Sequence, residues 1–286
     1  MSSAGTAPHI EQLSVESSDG HRFELLACLP EQATASLLWL PALGVAARHY
    51  QPFAQALAGK GVAVFVHEWR GNGSSSLRPD RAHDWGYQAL LQQDLPAAEA
   101  AVQARLPTLP LRLGGHSLGG QLSCCYAGMR ALPLDALWLV ASGTPWWRSF
   151  PGPRGWLLPL AYRFLPWLAQ RNGSLPGRRV GFGGTEARSL IRDWAGVGLS
   201  NHYAAAGLPV DLEAGMRCIS APTRAIVFDS DWLAPVSPMR ALLAKLSASP
   251  SSLQVLSSAQ LGVRADHFQW MKSPQSVADA LFHHND

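Results

Sequence analysis

The chain has 286 residues, 47% of them hydrophobic and 15% charged, with a net charge of +3. That is apolar material enough for one large α/β domain with an insertion, or for two small domains. No basic run is present, so nothing points to nucleic acid as a partner; no apolar run of about 18 residues points to an integral membrane segment, and Met1 to His9 contain no apolar core of a signal peptide.

Residues 10–15 and 23–28 read as two strands joined by a turn at Ser17-Ser18-Asp19-Gly20. Residues 35–40 form a continuous apolar run, as a buried parallel strand does. Residues 50–59 read as a helix with Phe53, Ala54 and Leu57 on one face, 62–66 as another buried strand, and 85–105 as a long helix. A strand at Leu111 leads into Gly114-Gly115-His116-Ser117-Leu118-Gly119-Gly120, followed by a helix over 121–130 and a strand over 136–141. From Gly143 strand signals thin out. Residues 143–218 carry Trp146, Trp147, Trp156, Trp167 and Trp194, several prolines and the run Val180-Gly-Phe-Gly-Gly184. This stretch reads as an inserted helical cap whose packing buries most of these rings, with Trp146 and Trp147, beside Leu157 and Leu158, as candidates for an apolar acyl pocket. The core resumes with a strand over 223–228 and a helix over 237–247, with Ser237 as its cap and Pro238 in its first turn. An alternating strand over 253–256 and a last helix over 274–283 complete the chain. Buried strands alternating with helices imply an α/β fold: a mainly parallel sheet with helices on both faces, built from residues 1–142 and 219–286.

The four cysteines, Cys28, Cys124, Cys125 and Cys218, include no C-x-x-C pair and read as buried reduced thiols. Neither a metal site nor a cofactor is implied, and a cytoplasmic location fits.

The chemistry gathers at Gly115-His116-Ser117-Leu118-Gly119. A G-x-S-x-G motif between a strand and a helix is a nucleophile elbow: a strained turn exposes the serine hydroxyl at a helix N-terminus. A serine needs a base, and the base needs an orienting acid, in chain order Ser, acid, His. Asp229 and Asp231 follow the strand over 223–228. The context Asp231-Trp-Leu-Ala-Pro235 favours Asp231, while Asp229 suits a turn. His267, in Asp266-His267-Phe268 before the last helix, is the base candidate. His9, His21, His49, His67, His83 and His116 precede Ser117, His202 falls in the cap, and His283 and His284 lie at the C-terminus. The oxyanion hole needs two backbone N–H groups. Leu118 supplies one, and Leu43, in Pro41-Ala-Leu-Gly-Val45, the other.

With these residues in place, the chain resembles an α/β-hydrolase, of the branch holding monoacylglycerol lipases and lysophospholipases, and is similar to a bacterial group of α/β hydrolases of undefined reaction. The loop from Pro41 to Tyr50 resembles that branch's oxyanion loop, with Pro41-Ala42 in place of His-Gly. His67-Glu-Trp-Arg-Gly-Asn-Gly-Ser74 resembles its Asp-x-x-Gly-x-Gly-x-Ser loop, with Glu68 in place of Asp. The resemblance implies a carboxylesterase or lipase-like enzyme with a Ser117–Asp231–His267 triad acting on a small-molecule acyl ester, thioester or lipid-like substrate. The alternatives are an acyltransferase on the same triad and a non-catalytic binding protein on this fold. A haloalkane dehalogenase would need a carboxylate where Ser117 stands.

Overall fold

The computed structural model describes residues 7–282. His283 and His284 lie outside the described residues, as does the end of the last helix expected over 274–283. Eight strands form one sheet: β1 (His9–Glu16), β2 (Arg22–Leu29), β3 (Ala35–Leu40), β4 (Val62–Val66), β5 (Leu111–His116), β6 (Ala136–Val140), β7 (Thr223–Phe228) and β8 (Ser251–Leu256). Their order across the sheet is β1-β2-β4-β3-β5-β6-β7-β8. β1 pairs antiparallel with β2, and β2 antiparallel with β4; all later neighbours are parallel. Every residue of β3, β4 and β6 is buried, because both faces of the central strands are covered.

Helices α1 (Gln51–Ala58), α2 (Leu95–Arg105) and α3 (Leu118–Met129) divide between the two faces. One core gathers Phe53, Leu57, Trp39, Val64, Trp138, Phe228 and Trp270. The other gathers Leu38, Phe65, Leu91, Leu95, Leu113, Leu122 and Cys125. Between β6 and β7 come α4 (Pro153–Asn172), α5 (Arg188–Ser200) and α6 (Leu212–Arg217). Leu165 and Ala169 of α4 pack on Ile191 of α5, next to the two-residue strand pair Leu175–Pro176 and Thr185–Glu186. α6 lies on α3, with Gly128 and Gly215 in backbone contact. α7 (Val236–Leu243) and α8 (Gln275–Phe282) complete the layers.

Several local expectations are corrected. The helical run after β4 starts at Tyr87, not at 85, because the Asp193 carboxylate accepts the Tyr87 N–H at 3.0 Å and caps it there. A π-turn, Leu90–Asp94, links it to α2. α7 is capped by Pro235, not Ser237: Asp231 takes the N–H groups of Leu233 and Ala234, and Pro235, with φ fixed near −65°, starts the helix at once. Cys28, Cys124 and Cys125 are buried, but Cys218 is exposed beyond the end of α6. None of the five tryptophans from 146 to 194 is fully buried, and Trp156 and Trp167 are exposed. α4 buries Gly155, Tyr162, Leu165 and Ala169, and turns Trp156, Leu157, Leu160, Phe164 and Trp167 outward.

Candidate active site

Ser117 sits between β5 and α3 at φ 56° and ψ −122°, a conformation that L-residues rarely adopt. Close packing enforces it. A Cβ on Gly115 would lie 2.4 Å from the Gly119 carbonyl carbon, and a Cβ on Gly119 would lie 2.0 Å from the Leu40 carbonyl oxygen. Only glycines let α3 start directly over the ends of β5 and β3. The Ser117 N–H is tied to the Val140 carbonyl at 3.0 Å, and the side chain is half-buried.

β7 and β8 are parallel neighbours, so the loops that follow them leave the same edge of the sheet. That edge brings Asp231 to His267, with Nδ1 2.7 Å from Oδ2. The other oxygen, Oδ1, accepts the N–H groups of Leu233 at 2.8 Å and Ala234 at 3.1 Å, which fixes the carboxylate. Asp231 and His267 are both buried. With Nδ1–H donated to Asp231, Nε2 is left as the basic nitrogen. Asp229 is exposed and accepts from its neighbour Ser230 instead. The His267 ring lies 4.7 Å, centroid to centroid, from that of His116, the residue before Ser117. Among the described residues, Ser117 Oγ makes no hydrogen bond, to His267 or to any other group. Catalytic hydrogen bonds are often long without a substrate.

Leu43 and Leu118 line one small cavity, with room for about one water molecule, together with Gly44, Trp69, Arg70, Asn72, Trp85, Leu90, Glu186 and Leu190. Among the described residues, neither the Leu43 nor the Leu118 N–H is spent on a hydrogen bond. Trp146 and Trp147 are half-buried and are not among the cavity's walls.

Other side chains hold the Pro41–Val45 loop. The buried Tyr50 hydroxyl accepts the Ala42 N–H at 2.9 Å and is 2.8 Å from His116 Nδ1. Trp69 Nε1 donates to the Pro41 carbonyl at 2.8 Å. Glu68 accepts the Ala47 N–H at 3.2 Å, and burial raises its pKa to about 7. Sequence reasoning touches Tyr50 and Glu68 only as parts of loops, and misses Glu186 altogether. Glu186 is buried in the cavity wall, where desolvation raises its pKa to about 7 against the opposing Gly184 N–H, 2.6 Å away. Nothing near Glu186 in the sequence marks it, because the cavity it lines is shared with Leu43 and Gly44, more than 100 residues earlier in the chain.

A second serine, histidine and aspartate also meet. His21 lies 2.9 Å from Ser75 Oγ and 3.0 Å from Asp94. This trio is structural. Ser75 Oγ already accepts the N–H groups of Gly71 and Leu77 and donates to the Leu77 carbonyl. Arg70 grips Asp94 through two nitrogens, at 2.7 and 2.8 Å. Burial opposes the ionisation of Asp94, but the hydrogen bonds from His21 and Arg70 outweigh it and hold its pKa near 2. The trio clamps the β1–β2 turn to Arg70, which walls the cavity.

Comparison with known proteins agrees with this architecture. A lipase in its open form is 17% identical, covers 95% of this chain and 96% of its own, and superposes with a TM-score of 0.65. An esterase domain from a Rhodothermus marinus protein is 18% identical over 96% of both chains, with a TM-score of 0.61. The thioesterase domain from the curacin biosynthetic pathway is 17% identical over 96% of this chain and 100% of its own, also with a TM-score of 0.61. At these identities the likeness is one of fold. No curated protein sequence matches the chain. A family model matches residues 31–260, a span that holds Ser117 and Asp231 and stops short of His267. The chain is an α/β hydrolase and belongs to the family described as serine aminopeptidase, S33.

Proposed function

We propose that this protein is a serine hydrolase that cleaves a carboxylic ester or thioester of a small or medium acyl group through an acyl-enzyme. The observation that carries the reading is Ser117, strained at the start of α3 and next in the chain to His116, whose ring lies 4.7 Å from a His267 ring engaged through Nδ1 by Asp231 at 2.7 Å. In this reading His267 Nε2 takes the Ser117 proton as Oγ attacks the carbonyl carbon. The Leu118 and Leu43 N–H groups hold the oxyanion, helped by the positive end of α3. Collapse expels the alcohol or thiol, which receives the proton from His267. Water then attacks the acyl-enzyme by the same route and releases the acid. Asp231 keeps the imidazole in the required tautomer and stabilises the imidazolium.

Residues 143–218 act as a cap. Their contribution to the cavity is Glu186 and Leu190, while α6 anchors the segment on α3. The acyl chain enters between Leu43, Trp69, Trp85, Leu90 and Leu118, whose side chains part to enlarge the small cavity they line. The three buried free thiols suit a reducing, cytoplasmic setting.

A p-nitrophenyl ester series tests the reading. Each methylene buried in the cavity contributes about 0.8 kcal/mol, so butyrate and hexanoate should be cleaved with higher kcat/KM than acetate until the cavity is filled. Release of free acid without an added alcohol separates a hydrolase from an acyltransferase. A flat profile, or one that falls from acetate onward, contradicts the placement of the acyl chain.

A further inference from the structure

Helix α4 is apolar on two opposite sides. Gly155, Tyr162, Leu165 and Ala169 are buried against the protein. On the outside, Trp156 is 74% exposed, Leu157 64%, Leu160 65%, Phe164 50% and Trp167 56%. At 3.6 residues per turn these five side chains fall within about 100° of arc. A surface helix ordinarily turns polar groups to water, and a contiguous exposed apolar stripe marks a surface that is covered in use.

The charge around the stripe indicates what covers it. From Thr144 through Thr185 the sequence has six arginines, at 148, 154, 163, 171, 178 and 179, and no lysine, aspartate or glutamate. Among the described residues, none of these six has a carboxylate partner. Arg148 lies over Trp147 at 4.9 Å, and Arg154 lies over Trp232 at 5.8 Å. Trp232 follows Asp231 and is 59% exposed; Phe268 follows His267 and is 43% exposed. Through Arg154 the exposed surface thus reaches Trp232, on the loop that carries the candidate acid. α4 has 20 residues, yet no described helix is apolar enough to cross a membrane.

We propose that α4 docks on the surface of an anionic lipid bilayer. Its Trp, Leu and Phe side chains enter the boundary between headgroups and acyl chains, and its arginines reach the phosphates. Arg163, on the edge of the stripe, extends its guanidinium to the headgroup level. A second copy of the chain would set six unpaired positive charges against six more, which a symmetric contact through this face cannot relieve. The docking does not depend on which reaction Ser117 performs.

Cosedimentation of the full-length protein with vesicles tests this, because it reads binding without turnover. Vesicles of phosphatidylcholine mixed with phosphatidylglycerol should bind the protein at least about tenfold better than phosphatidylcholine alone. L160S/F164S/W167S should lose roughly tenfold or more of that binding while keeping the wild-type thermal unfolding curve. R163Q/R171Q, which leaves the apolar stripe in place, should bind the two lipids nearly alike. Three results would overturn the proposal: no binding to either vesicle, equal wild-type binding to both, or binding that the triple serine variant does not reduce. A dimer in light scattering that the serine variant dissociates, with no vesicle binding by the wild type, would overturn it in favour of self-association.

Discussion

Gly119→Ala tests whether the elbow depends on contact between α3 and the end of β3. The added Cβ would stand 2.0 Å from the Leu40 carbonyl oxygen and 2.5 Å from that of Pro41. Carbon and oxygen that are not bonded need about 3.5 Å, and both obstacles are backbone. The start of α3 must therefore part from the Pro41–Val45 loop by on the order of 1 Å. That displacement costs roughly 1–3 kcal/mol of stability, as overpacking does. It also separates the Leu118 N–H from the Leu43 N–H, and misplacement of a catalytic group by 1 Å costs about 100-fold in rate. The assay is kcat on p-nitrophenyl butyrate alongside thermal unfolding. Gly196→Ala is the control: it lies within α5, and nothing stands within 4 Å of a Cβ added there. It should gain up to about 1 kcal/mol of stability at unchanged rate. A folded Gly119→Ala protein with wild-type kcat would refute the reasoning.

Further substitutions probe the acid, the base and the buried glutamate. His267→Ala and Asp231→Asn should each lower kcat by roughly 10³ or more, while Asp229→Asn stays near wild type; a crippled Asp229→Asn with a mild Asp231→Asn would reverse the choice of acid. The Glu186 pKa is raised from 4.5 to about 7 by burial, so the folded state holds its proton more tightly than the unfolded one. Stability from this group is therefore full below its unfolded pKa and falls as pH rises towards 7, by on the order of 3 kcal/mol. Denaturant titrations of Glu186→Gln between about pH 5 and 7 should show a flatter profile than wild type, and an unchanged slope would contradict the burial argument. Asp94, held near 2, acts in the opposite sense and loses its contribution only as pH falls below its unfolded value of 3.8.

Legibility in the sequence follows how local the determining forces are. β3, β4 and β7 are continuous apolar runs, and their bounds coincide with the composition pattern because both faces of a central parallel strand are covered. The elbow is equally local: Gly115 and Gly119 pack on each other across four residues. Asp231 and His267 can be singled out by chain order, but their 2.7 Å contact depends on β7 and β8 being parallel neighbours, which no local pattern states. Long-range contacts are hidden altogether. Asp193 caps a helix more than 100 residues earlier in the chain, and Glu186 lies against Gly44 of the Pro41–Val45 loop, more than 100 residues earlier as well. The tryptophans mislead for a different reason. Aromatic content alone does not distinguish the face that α4 buries from the face it turns outward, and both are apolar.

The central claim is that Ser117, and not the better hydrogen-bonded Ser75, is the nucleophile. Ser75 is buried, and its oxygen is already fully engaged. Treatment of the full-length protein with a fluorophosphonate, followed by peptide mapping, tests the claim most directly. The account predicts one covalent adduct per chain, on Ser117, lost in Ser117→Ala and retained in Ser75→Ala. Full labelling of the Ser117→Ala protein, or an adduct mapped to Ser75, would contradict it.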